Sequence, residues 1–204
     1  MSQVIVRISS NEDDVEMLLV DKGSEIWKKL SFKEFYSILR KRVPGAFKDS
    51  KPVYLDPCVI AAGEGVSIIK KPAHRRIVTY SGKAYEINFP NSLYVIRHSL
   101  TKVDAVDAYT FFQWQGRDTA LYLMPMPNMT QSQHMCLGTA RREITQNDLC
   151  GALERILDAS YTHDHVDNMK QRTSTVKWFL HLKKNSVKIT DVKSAGITVA
   201  DLTI

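Results

Sequence analysis

The stretch between Pro52 and Met126 constrains this chain most: it is a series of short β-type runs with no helix-length apolar period among them. Residues 53–55, 65–69, 75–80, 93–98, 109–114 and 120–123 are rich in Val, Ile, Tyr and Phe, side chains that suit a half-buried pleated surface. Turn formers separate them at Gly63-Glu64-Gly65, Ser81-Gly82-Lys83 and Gln115-Gly116-Arg117-Asp118. Spacing this short predicts an antiparallel meander. Gly63 and Gly65 fit a tight hairpin and not a phosphate loop, because no helix start or lysine follows them.

Helical patterns flank the meander. Residues 4–8 and 15–20 read as strands around the polar turn Asn11-Glu12-Asp13-Asp14. Ser31-Phe32-Lys33-Glu34 has the form of a capping box, and Phe32, Phe35, Ile38, Leu39 and Val43 follow at helical spacing until Pro44-Gly45. After Met126 the chain is irregular through about Arg142. Thr145-Gln146-Asn147-Asp148 then starts a helix with Leu149, Ala152, Leu153, Ile156 and Leu157 on one face. A further helix over 173–184 carries Val176, Phe179 and Leu180, and 187–204 is a mixed tail. The expectation is an α+β class within a single domain, 1–204. It divides into N-terminal strands and helix (1–50), β-meander (51–126), an irregular loop with C-terminal helices (127–186) and tail (187–204).

Hydrophobic residues make up 44% and charged residues 25%, as in ordinary globular chains, which excludes whole-length disorder. No apolar run approaches the ~18–20 residues that a membrane-spanning helix needs. The first residues lack the basic-then-apolar pattern of a secretory signal. A cytoplasmic protein with no membrane partner is expected. The net charge of +6 invites a nucleic-acid partner, but the basic residues read as dispersed short clusters: a solvated surface, or one that docks an acidic protein. Cys58, Cys136 and Cys150 form no Cys-x-x-Cys pair and are odd in number, and on that reading a disulfide framework and a four-cysteine zinc site are both excluded. Cys58 and Cys150 are expected to be packing residues.

The chemistry is concentrated between Tyr122 and Gly138. Asn128 follows a proline after the last β-type run, and Cys136 lies 8 positions later, before Leu137-Gly138. Two readings stand on the residues alone. Cys136 is an exposed nucleophilic thiol in an irregular segment, or it closes a short buried strand, Met135-Cys136-Leu137. His134 sits two residues from Cys136 and is a possible supporting group, though a surface histidine fits as well. His163-Asp164-His165 with Asp167 lacks the spacing of paired metal ligands, so no metal is expected. No phosphate loop is present, and no cofactor is expected.

Asparagine after proline, with Cys-Leu eight residues on, resembles the active-site segment of ubiquitin-conjugating enzymes. Thr119, Leu121-Tyr122, Asn128, Cys136-Leu137-Gly138 and Arg141 are more similar still to the bacterial branch, which includes protein B of the PRTRC system. Tyr161-Thr162-His163 adds a weaker match. The resemblance implies a ubiquitin-conjugating-enzyme-like fold, the meander flanked by helices, with an extra N-terminal β/α segment. It implies a cysteine thioester on Cys136, an Asn128 amide that stabilises the oxyanion or braces the loop, and a family-type role for His163. It implies as partners a ubiquitin-like modifier, an ATP-dependent activating enzyme and an acceptor amine. Met126 stands where the family places a histidine. The alternative is an inactive scaffold of the same fold, or a basic DNA-associated component of a mobile-element system.

Overall fold

Left-handed turn residues between β-branched runs favour tight antiparallel pairs. The computed structural model of the chain shows where those pairs fall; it describes residues 3–8, 14–21, 24–31, 34, 58–145 and 148–202. The chain divides into two units, Met1–Tyr54 and Leu55–Ile204. In the first, β1 (Gln3–Ile8), β2 (Asp14–Asp21) and β3 (Ser24–Ser31) form an antiparallel sheet in that order. The first two match the sequence reading, and β3 was not anticipated. Ser31 makes the reciprocal cap with Glu34: its Oγ accepts from Glu34 N at 3.3 Å, and its own N donates to Glu34 Oε2 at 3.0 Å. The rest of that predicted helix, and the predicted run at 53–55, lie outside the described residues.

The second unit carries β4 (Val59–Gly63), β5 (Val66–Lys71), β6 (His74–Tyr80), β7 (Lys83–Phe89), β8 (Ser92–His98), β9 (Val103–Thr110) and β10 (Ala120–Leu123). Then come α1 (Leu149–Leu157), β11 (His165–Val166), β12 (Thr173–Ser174), α2 (Thr175–Leu182) and β13 (Ser194–Thr198). The described residues are thus α+β and mostly antiparallel. The main sheet runs β13-β10-β9-β8-β5-β4, while β6 and β7 form a separate two-stranded ribbon, with one bridge from Tyr80 to Tyr161. The meander is therefore interrupted: β5 pairs with β8, and the β6–β7 ribbon is an excursion between them. Its turn uses Ser81 and Gly82, with φ of 49° and 72°, the two left-handed positions of a type I′ hairpin.

Two local expectations shift. The run placed at 109–114 is a strand at Val103–Thr110, whose Asp104 and Asp107 weaken the sequence signal; pairing with β8 from Ala105 to Thr110 and again at Val103, with a bulge at Asp104, decides the matter. In α2 the buried side chains are Thr175, Trp178, Phe179 and Leu182, whereas Val176 and Leu180 are 39% and 55% exposed. Trp178 buries more surface than either aliphatic residue, and its indole N–H donates to Pro125 O at 2.7 Å.

Both faces of the sheet are covered. Tyr94 and Ile96 of β8 face α1 (Ala152, Leu153, Ile156) and α2 (Phe179), whereas Leu93 and Val95 pack with Phe111 and Leu121 under the C-terminal segment. The α1 face is the one expected from the sequence, capped by Asp148, whose carboxylate accepts from Gly151 N at 2.6 Å. Cys58 and Cys150 are not two packing thiols, and the odd cysteine count does not exclude a bond: a disulfide joins them across 92 residues. The fold brings the approach to β4 against the start of α1, a proximity that no local spacing encodes.

Candidate active site around Cys136

The chain leaves β10 into a buried segment in which side chains take up the backbone groups of Met124. Met124 N donates to Gln133 Oε1 at 2.8 Å, and Met124 O accepts from Asn168 Nδ2 at 3.2 Å. Met126 is 2% exposed and belongs to the apolar core. An imidazole in that position would need a hydrogen-bond partner to offset its desolvation; a thioether does not.

Residues 128–136 then form a small hairpin. Cys136 N donates to Asn128 O at 2.7 Å, and Thr130 N donates to His134 O at 2.9 Å. Met129 and Met135 pair between them, and Gln133 N closes the turn onto Thr130 O at 3.1 Å. The returning arm docks on β9: Ala108 N donates to Gln133 O at 3.0 Å, and Met135 N to Val106 O at 2.8 Å. This register explains the interval of eight residues. Directly opposed residues of an antiparallel pair present their side chains on one face, with Cβ atoms ~5 Å apart, so Asn128 and Cys136 share a face.

Asn128 sits at φ +64°, a left-handed conformation that asparagine tolerates better than most residues. Its Oδ1 accepts from Thr162 N at 2.9 Å, His163 N at 3.2 Å and Thr162 Oγ1 at 3.4 Å. Those backbone donors fix which end of the amide is oxygen. The remaining Nδ2 makes no hydrogen bond among the described residues and is not a fully buried atom. Asn128 and Cys136 line one cleft of about 170 Å³ with Gly138, Ile156, Leu157 and Thr162. Cys136 is a free, exposed thiol, while Cys58 and Cys150 are half-buried and bonded to each other.

The two histidines lie outside the cleft lining. His134 Nδ1 bonds Asp107, a nearly buried carboxylate that also pairs with Arg97 Nη1 at 2.9 Å, so its ring pins the hairpin to β9. His163 is exposed and contributes its backbone: its N–H goes to Asn128, and its carbonyl accepts from Thr175 Oγ1 at 2.6 Å. Among the described residues, no group of three His, Cys, Asp or Glu is placed to hold a metal. Tyr161, beside these donors, is buried, which pushes its phenol far above the usual range; Tyr80 is raised chiefly because its hydroxyl donates to Asp164.

Sequence reasoning missed Gln133 and did not foresee Thr162 as a partner of Asn128. Gln133 is 3% exposed and left-handed, at φ +68°, and has no motif around it. Thr162 lay within the weaker Tyr-Thr-His match, whose meaning is now the pair of backbone donors. No described helix is long and apolar enough to cross a membrane.

Comparison with known protein families finds a match. The family described as Prokaryotic E2 family D matches residues 36–188, most of the chain and all of the cleft. No curated protein and no solved structure matches.

Proposed function

The chain belongs to prokaryotic E2 family D, and on that premise we propose that it is a ubiquitin-conjugating-like transferase with Cys136 as its acyl carrier. The observation that carries this reading is the exposed Cys136 thiol opposite Asn128, whose amide oxygen is held by two backbone donors. The Cys136 thiolate attacks the C-terminal thioester carbonyl of a ubiquitin-like modifier on its activating enzyme. A new thioester forms, and the activating enzyme's thiol leaves. An acceptor amine then attacks that carbonyl, an amide forms, and Cys136 departs as thiolate. Thiol chemistry suits both steps, because sulfur is a strong nucleophile and a good leaving group.

Each step passes through a tetrahedral oxyanion. Asn128 lines the same cleft, and its uncommitted Nδ2 is the group that can donate to the oxyanion; loss of one such donor typically costs ~10²–10³ in rate. Substrate activation by ATP belongs to the activating enzyme, so this chain needs no cofactor of its own. The test is a charging assay with activating enzyme, ATP and modifier. Wild type should gain an adduct cleaved by dithiothreitol. Cys136→Ser should lose it, or trap a thiol-resistant ester, with an unchanged thermal midpoint because the side chain is exposed. An equal reducible adduct on both proteins would overturn the assignment, and no adduct on wild type would favour the inactive scaffold.

A further inference from the structure

The chain's positive charge is not dispersed as its clusters suggest. Residues 168–193 hold 7 Lys or Arg and 1 carboxylate, Asp191, a net +6; the other residues hold 21 of each sign, so this one stretch accounts for the whole net charge of +6. The fold brings three of these seven cations to one side of α2. Lys170, Arg172, Lys177 and His181, with one carboxylate, Asp191, line one cleft of about 470 Å³ beside Trp178, whose ring stacks on His181 at 5.2 Å and 8°. Only part of this charge is compensated. Arg172 Nε pairs with Asp167 at 3.0 Å, whereas the ammonium groups of Lys177, Lys183, Lys184 and Lys188 pair with no carboxylate among the described residues.

Beside the cations lie aliphatic side chains that helical spacing alone would bury. Val176 and Leu180, one turn apart on α2, are 39% and 55% exposed, and Ile189 is 49% exposed. A phosphate backbone is matched by cations and polar groups and gains nothing from leucine. Apolar anchors ringed by one sign of charge fit a protein surface of the opposite sign. We propose that the outward face of α2, with the cleft at its side, docks a protein partner that presents carboxylates around an aliphatic anchor. The complementarity is twofold: Leu180 and Val176 receive the anchor, and Lys170 and Lys177 receive the carboxylates. This rests on surface charge and exposure and is independent of the role assigned to Cys136.

The experiment uses the full chain and two fluorescein-labelled probes in anisotropy titrations. One is a peptide with Glu-Glu pairs flanking Leu-Leu; the other is a DNA duplex of matched charge. The peptide should bind at low salt and weaken as salt rises. Leu180→Ser should weaken it about tenfold, the worth of one aliphatic side chain buried. The double variant Lys170→Glu, Lys177→Glu should weaken it at low salt and flatten its salt dependence. Both variants alter exposed side chains, so the thermal midpoint should hold, and it is measured alongside. DNA that binds more tightly than the peptide and ignores Leu180→Ser would overturn the proposal in favour of nucleic acid. Peptide affinity unchanged in both variants, or no binding at all, would overturn it outright.

Discussion

Asn128 can be divided into two functions by choice of substitution. Its Oδ1 braces the 161–163 segment, and its Nδ2 is the donor available to an oxyanion. Asn128→Ala removes both. Two backbone N–H groups lose their acceptor in a partly buried setting, at ~1 kcal/mol each, near the low end for an unsatisfied donor because water reaches the cleft. Alanine at φ +64° adds about 1 kcal/mol of left-handed strain that asparagine largely avoids. The sum is about 3 kcal/mol, roughly 6–12 °C in thermal midpoint for a domain of this size. Asn128→Asp keeps a carboxylate oxygen for Thr162 N and His163 N, and charged acceptors bond N–H groups at least as well. Its midpoint should stay near wild type, but its second oxygen cannot donate, so single-turnover discharge to an amine should fall ~10²–10³. Thermal melts, charging rates and discharge rates on both variants separate the two functions. Wild-type discharge by a stable Asn128→Asp protein would refute the donor role. An unshifted midpoint for Asn128→Ala would refute the brace.

Reduction of the Cys58–Cys150 disulfide, which closes a loop of 92 residues, should lower stability by ~2–4 kcal/mol, measured by denaturant titration with and without a phosphine reductant. No change would mean that the two thiols are not joined in solution. Arg76, whose side chain is 8% exposed, bonds Glu154 and Asp158 of the α1 region from β6. Arg76→Met should cost about 1–3 kcal/mol, less than a fully buried pair because both carboxylates reach solvent. Burial raises the phenols of Tyr94 and Tyr161 far above the usual 10.0. Their folded-state proton affinity exceeds the unfolded one, so the stability they confer is intact below pH ~10 and declines above it by up to ~1.4 kcal/mol per pH unit for each group. Alkaline titration followed by tyrosinate absorbance should show both ionising only with unfolding; free titration in the folded protein would contradict their burial.

Much of this was legible locally. The period of α1, the caps at Ser31 and Asp148, and the turns at Gly63–Gly65 and Ser81–Gly82 each depend on residues within a few positions of one another. The Asn128–Cys136 interval was legible too, because a hairpin register is a local property and the motif spans it. What the sequence could not supply is pairing across distance. That β5 meets β8 and not β6, that Cys58 reaches Cys150, and that Asn128 finds its donors at Thr162 and His163 are decided by how the layers close. The same closure selected Trp178 over Val176 and Leu180 for the core, and set Lys170, Arg172 and Lys177 around one cleft beside α2. Spacing along a helix identifies an apolar stripe; which edge of it is covered depends on the area the opposite face can bury, and that exists only in the assembled fold.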